Sequence, residues 1–110
     1  MEREYPHEVR LEELRPGDIV AIFWIDASEG RAKPPLRLDA PVVSYGIFVG
    51  VMRGAMSKYV VIAKELCGAE IHYNSIPVAN VWRVERLSPH RVKLRHMRKL
   101  LARLRGRGYH

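Results

Sequence analysis

RPGDIVAIFWI, residues 15–25, decides how the rest of the chain is read. Arg15-Pro16-Gly17-Asp18 has the composition of a tight turn, with Pro, Gly and Asp in succession. The run that follows it, residues 19–25, is unbroken, apolar and rich in β-branched and aromatic residues, the pattern of a strand covered on both faces. Next comes DASEGRAKPPLRLDAP, residues 26–41, rich in Pro, Gly and Ala. A loop of that length is uncommon in a compact domain unless it has a function or packs on itself.

Reading on, residues 41–52 (PVVSYGIFVGVM) predict a second strand. Its alternation puts Val43, Tyr45, Ile47, Val49 and Val51 on one face, the expected core side. Gly46 and Gly50 fall on the other, where a bend or a close backbone approach is accommodated. RGAMS turns the chain into KYVVIAKEL, CGA turns it again into EIHY, and NSIPVAN precedes a final strand, VWRVERL, residues 81–87. No stretch within residues 14–87 has the length and 3.6-residue period of a confident helix.

Five short strands, a long loop after the first, two tight turns and a Pro-containing single helical turn (residues 76–80) before the last strand resemble an SH3-like small barrel, over residues 14–87. WIDAS (residues 24–28), SYGIFVG, and IP followed by VWRVERL are similar to small phage and archaeal proteins of that fold. The resemblance implies a fold and brings no activity with it. In the long loop Asp26, Glu29 and Asp39 are balanced by Arg31, Lys33 and Arg37. That balance argues against the acidic loop used to bind Pro-rich peptides.

Charge divides the chain in two. The 110 residues carry a net charge of +7, yet the eight Lys and Arg after residue 87 are accompanied by no Asp or Glu. The first 87 residues are nearly neutral, so the whole excess lies in the tail, and this asymmetry points to a polyanion. The acidic lead-in (MEREYPHEVRLEEL) is a competing, intramolecular counter-charge. The expected organisation is therefore residues 1–87 as barrel with lead-in, and residues 88–110 as a basic amphipathic helix ending in an Arg/Gly tail.

Ser88-Pro89 has the chemistry of a helix start, since Ser caps free amides and Pro is tolerated at the first position. Leu94, Met97, Leu101 and Leu104, with Leu100 beside them, form an apolar stripe, and Gly106 is a stop. A helix over residues 89–105 would be about 25 Å long at ~1.5 Å per residue. Its other faces hold Arg91, Lys93, Arg95, Arg98, Lys99, Arg103 and Arg105, with Arg107 beyond the stop. These eight are the candidate phosphate contacts, because neutralised phosphates release counterions and Arg forks match phosphate oxygens. RGRGY (residues 105–109) adds an aromatic able to stack on an unpaired base. RNA is favoured over DNA, as no helix-turn-helix, zinc-finger spacing or basic zipper is present. The alternative is a protein-interaction or assembly module, with the stripe Leu94, Met97, Leu101 and Leu104 docking on the barrel, a partner or a second copy. A membrane surface is set aside, since the stripe lacks Trp and Phe.

No catalytic centre, cofactor motif or metal-ligand spacing emerges. Cys67 is the sole cysteine, which excludes an internal disulfide and fits a reducing, cytoplasmic setting. Nor is there an apolar run long enough for a bilayer span or a secretory signal. Arg outnumbers Lys fourteen to five and Gln and Thr are missing altogether, a lean towards a heat-adapted source. Asp26, Ser28 and His72 carry the residue types of an acyl-transfer triad without any local signature. Phe23, Phe48 and Trp82 are expected in the core and Trp24 at the surface, beside the long loop. The function expected from all this is a non-enzymatic nucleic-acid-binding accessory.

Overall fold

The computed structural model describes residues 4–26, 40–67, 70–93, 95, 96 and 102. Six strands, β1 (His7–Val9), β2 (Asp18–Asp26), β3 (Ala40–Arg53), β4 (Lys58–Cys67), β5 (Glu70–Pro77) and β6 (Val81–Arg91), form one sheet in the order β1-β6-β2-β3-β4-β5. Every neighbouring pair is antiparallel. 3₁₀ turns at Leu11–Glu13 and Val78–Asn80 precede β2 and β6. The second is the single helical turn expected before the last strand.

The fold is mainly β, but the expected five-stranded barrel with a C-terminal helix is corrected in three respects. A sixth strand comes from the acidic lead-in: β1 pairs with β6, Glu8 opposite Glu85 and Val9 opposite Val84. Three residues give no period to detect, so this strand exists only through its partner. Second, the sheet is open, with β1 and β5 at its edges; β1 occupies the edge of β6 that a closed barrel would use.

Third, no α-helix starts at Ser88-Pro89, where β6 runs on to Arg91; the described residues form no α-helical element, and beyond β6 only Arg95, His96 and Ala102 among them have helical backbone. Ser88 does accept a hydrogen bond from the His90 amide at 3.1 Å, the bond of a helix cap. Yet the next helical bond is not made, because Val92 donates its amide to Gly17 O at 2.9 Å. Arg91 is paired with Asp18 across β2 and β6. Between the pairs Val20↔Arg86 and Asp18↔Arg91, β6 has four intervening residues where β2 has one. This excursion accommodates Pro89, which has no amide to give to a ladder. Tertiary pairing has overridden a good local helix start.

Curling of the sheet gathers one main core. Val20 and Ile22 of β2, Phe48 of β3, Val60 and Ile62 of β4, Ile76 of β5 and Val84 of β6 pack together with Val9 and Leu14. Each such side chain contributes about 1.5–3 kcal/mol by leaving water. In the middle of β2, Val20, Ala21 and Ile22 are all buried, so this stretch is covered on both faces as its apolar run implies. A second cluster, Val49, Val61 and Ala63, lies on the opposite face with Ile47, Met52, Tyr73 and Val92 against it. In β4 the alternation Val60, Val61, Ile62, Ala63 assigns successive residues to the two clusters.

β3 departs only in part from its expected orientation, since Val49 is buried and Ile47 packs against the second cluster as expected. Val43, Tyr45 and Val51 are exposed, whereas Ser44 and Phe48 are buried. The register Phe48↔Ile62 followed by Gly50↔Val61 leaves Val49 as an extra residue, a bulge that breaks the alternation. Ser44 is tolerated inside because its Oγ accepts hydrogen bonds from Trp24 Nε1 and Asn74 Nδ2, each at 3.0 Å. Gly46 faces inward where β4 comes close: a Cβ there would lie 2.6 Å from Ala63 O, whereas at Gly50 the nearest atom would be Met52 Cε at 3.7 Å. Gly46→Ala is expected to cost about 1–3 kcal/mol by forcing the backbone apart. Gly50→Ala should change stability by less than about 0.5 kcal/mol. Urea denaturation of the two variants checks the contrast.

Candidate functional site

The tail leaves the sheet at a buried carboxylate. In the turn that opens β2, the Asp18 amide donates to Arg15 O at 3.0 Å and the Arg15 amide donates to Asp18 Oδ2 at 2.9 Å. Gly17 has a φ of 99°, and a Cβ there would stand 2.6 Å from Val92 O. Only glycine combines that conformation with that approach. Gly17 also donates its amide to Phe48 O at 2.9 Å, so the turn is tied to β3 as well as to the chain leaving β6.

Asp18 is 1% exposed. Arg91 Nε donates to its Oδ1 at 2.6 Å, and Arg86 Nη2 to its Oδ2 at 3.3 Å and to Glu13 O at 3.0 Å. Burial, the largest single influence, works against the charge. The Arg15 amide, the Arg91 bond and the positive charges of Arg86 and Arg91 together outweigh it and hold the carboxyl below its ordinary value of 3.8. Two guanidinium groups thus share one carboxylate.

Of the eight predicted phosphate contacts, Arg91 is the one the fold uses itself, in the pair with Asp18. Lys93 and Arg95 are exposed, and neither has an ion pair among the described residues. Arg98, Lys99, Arg103, Arg105 and Arg107 lie outside the described residues, as do Leu94, Met97, Leu101 and Leu104. Arg95 and His96 have helical backbone, and His96 donates its amide to Lys93 O at 2.9 Å.

A second feature was not anticipated. The register Phe23↔Arg83 followed by Trp24↔Val81 leaves Trp82 unmatched, another bulge. It turns Trp82 outward, 59% exposed, against Phe23, with ring centroids 5.5 Å apart and planes at 61°. Trp24 takes the inward place instead, packed on the main core with its indole N–H held by Ser44. The expected roles of the two tryptophans are therefore exchanged, and Phe23 is half-buried on the outer face rather than in the core. Phe48 is in the core as expected. Tyr45 is also 59% exposed.

The Arg83 guanidinium carbon lies 5.9 Å from the centre of the Phe23 ring. It is bound to Glu85 at 2.8 Å and to Glu8 at 2.9 Å, pairs that raise its pKa above the ordinary value, the Glu85 hydrogen bond most. On the other side of Trp82 runs a groove of about 410 Å³. Leu11, Val78, Val81 and Trp82 give it apolar walls, and Glu8 and Arg10 are among its polar lining residues.

Among the described residues no three His, Cys, Asp or Glu side chains converge as a metal site requires, and no helix is long and apolar enough to cross a membrane. Asp26 and His72 are described, but Ser28 lies outside the described residues, so the triad types have no geometry to support them. Comparison with protein-family models, curated proteins and solved structures finds no match.

Because its folded pKa lies below the unfolded one, Asp18 stabilises the fold fully above the unfolded value. That contribution is lost as pH falls through the lower folded pKa. Asp18→Asn is expected to cost about 3 kcal/mol at neutral pH, since it leaves Arg86 and Arg91 without their counter-charge. The difference in urea midpoint between wild type and variant should be flat from pH 7 to about 5 and shrink in more acidic solution.

Proposed function

We propose that the chain is a non-enzymatic nucleic-acid-binding accessory protein of the cytoplasm, acting on RNA in preference to DNA through its basic C-terminal segment, residues 88–110. One observation carries the reading: all of the +7 net charge resides in a segment with eight cations and no acid. In the described body several arginines have carboxylate partners within the chain. Arg83 is paired with Glu8 and Glu85, while Arg86 and Arg91 share Asp18. From Val92 onward the acids stop, and Lys93 and Arg95 stand exposed. A phosphate backbone supplies closely spaced negative charge and releases counterions when neutralised, which requires no base-reading motif. The roles assigned are phosphate contacts for Lys93, Arg95, Arg98, Lys99, Arg103, Arg105 and Arg107, with Arg91 as the anchor.

The exposed Trp82, Tyr45 and Val43 favour a second reading, a protein-interaction module. Salt dependence separates the two. With the seven tail cations beyond Arg91 engaged, the log-log slope of affinity against salt on single-stranded RNA should approach about −5. Replacing Lys93 and Arg95 by Gln should flatten it by about 1.4 and weaken binding. Fluorescence anisotropy with labelled RNA at several salt concentrations measures both. An RNA affinity that is unmeasurable, or indifferent to salt, would leave the interaction module as the better reading.

A further inference from the structure

We propose that Trp82, with the groove beside it, is a stacking site for an unpaired base of a single-stranded nucleic acid. The inference rests on the nucleic-acid reading and adds to it a place on the sheet and a ligand class.

The bulge is the first argument. An extra residue gives up ladder pairing, and bulges persist where they re-aim a side chain. Here the side chain sent outward is the largest available, in a strand paired on both sides. The second argument is geometry. The planes of Trp82 and Phe23 are tilted at 61°, so the two rings do not cover one another face to face. Phe23 braces the indole without using up its stacking capacity. The adjoining groove has an apolar lining from Leu11, Val78 and Val81, and Glu8 and Arg10, also among its lining residues, supply an acceptor and a donor suited to a base edge.

Charge identifies the occupant. Arg83 is matched by both Glu8 and Glu85, so the surroundings of Trp82 do not attract phosphate. They suit the neutral, flat part of a nucleotide, while its phosphates find their complement in the tail. Trp82 stands at the beginning of β6 and Arg91 at its end. At about 3.3 Å per residue the two are at most roughly 30 Å apart, a span that a single strand of several nucleotides bridges along β6. A duplex keeps its bases stacked internally and offers none to Trp82, which gives the site its discrimination.

The test compares wild type, Trp82→Ala and Trp82→Phe in binding a short oligouridylate and an RNA duplex over a range of salt. The urea midpoint of each variant verifies folding, which the exposure of Trp82 favours. Trp82→Ala should weaken oligouridylate binding on the order of tenfold, leave duplex binding unchanged and keep the wild-type salt slope. Trp82→Phe should restore most of the loss, because it returns a ring. An oligouridylate affinity unaltered in Trp82→Ala overturns the stacking site while a steep salt slope upholds tail binding. Failure of wild type to bind either RNA overturns both. A wild type that sediments as a dimer and a Trp82→Ala that sediments as a monomer, with equal RNA affinity, assigns the face to a protein contact and likewise overturns the proposal.

Discussion

The rest of the molecule hangs on a single buried carboxylate. Asp18 closes the turn that starts β2 and binds two arginines of β6, one at its middle and one at its end. A buried charge is tolerable only when its partners outweigh the loss of water. Here a backbone amide and two guanidinium groups do so, and each ties down a different piece of chain. Arg86 is held to Asp18 and to the 3₁₀ turn after β1 through Glu13 O. Arg91, directly after the four-residue excursion of β6, is held where the tail departs. Through Gly17, the same turn reaches Phe48 and Val92.

That clamp governs how charge is distributed over the surface. Within β6 the arginines have carboxylates close at hand, two glutamates for Arg83 and one shared aspartate for Arg86 and Arg91. Past Val92 no carboxylate follows in the sequence. In sequence the chain thus passes from a nearly charge-balanced stretch to one that carries cations alone. β6 joins the two features physically, with the exposed indole at its start and the guanidinium anchored on Asp18 at its end. On the proposed nucleic-acid reading one ligand would place a base at the indole and its phosphates on the tail that follows.

Much of the architecture was legible because it depends on neighbours in sequence. Arg15-Pro16-Gly17-Asp18 has to turn, since its bonds close within four residues. The apolar run after it has to be a covered strand, and Pro77 to Asn80 has to make a short turn before the last one. What escaped the reading depends on partners far away. β1 is a strand only because β6 offers an edge. Val43 and Tyr45 face outward because Ser44 takes the inner side, held by Trp24 and Asn74, and Trp82 faces outward because a bulge opposite β2 shifts the alternation of β6. A bulge adds one residue to one strand and leaves no mark in composition or period.

By itself, then, the sequence determined a mainly β body, the turn that launches it, and the placement of all surplus positive charge after Leu87. Tertiary structure alone decided which face of β3 is buried, which tryptophan is exposed, and that Arg91 continues a strand instead of a helix. The reason is one of range. Turn chemistry and net charge are sums over adjacent residues, whereas register, bulge and ion pair are settled between segments as distant as Asp18 and Arg91, and there a single buried carboxylate outweighs the helical preference of Ser88-Pro89.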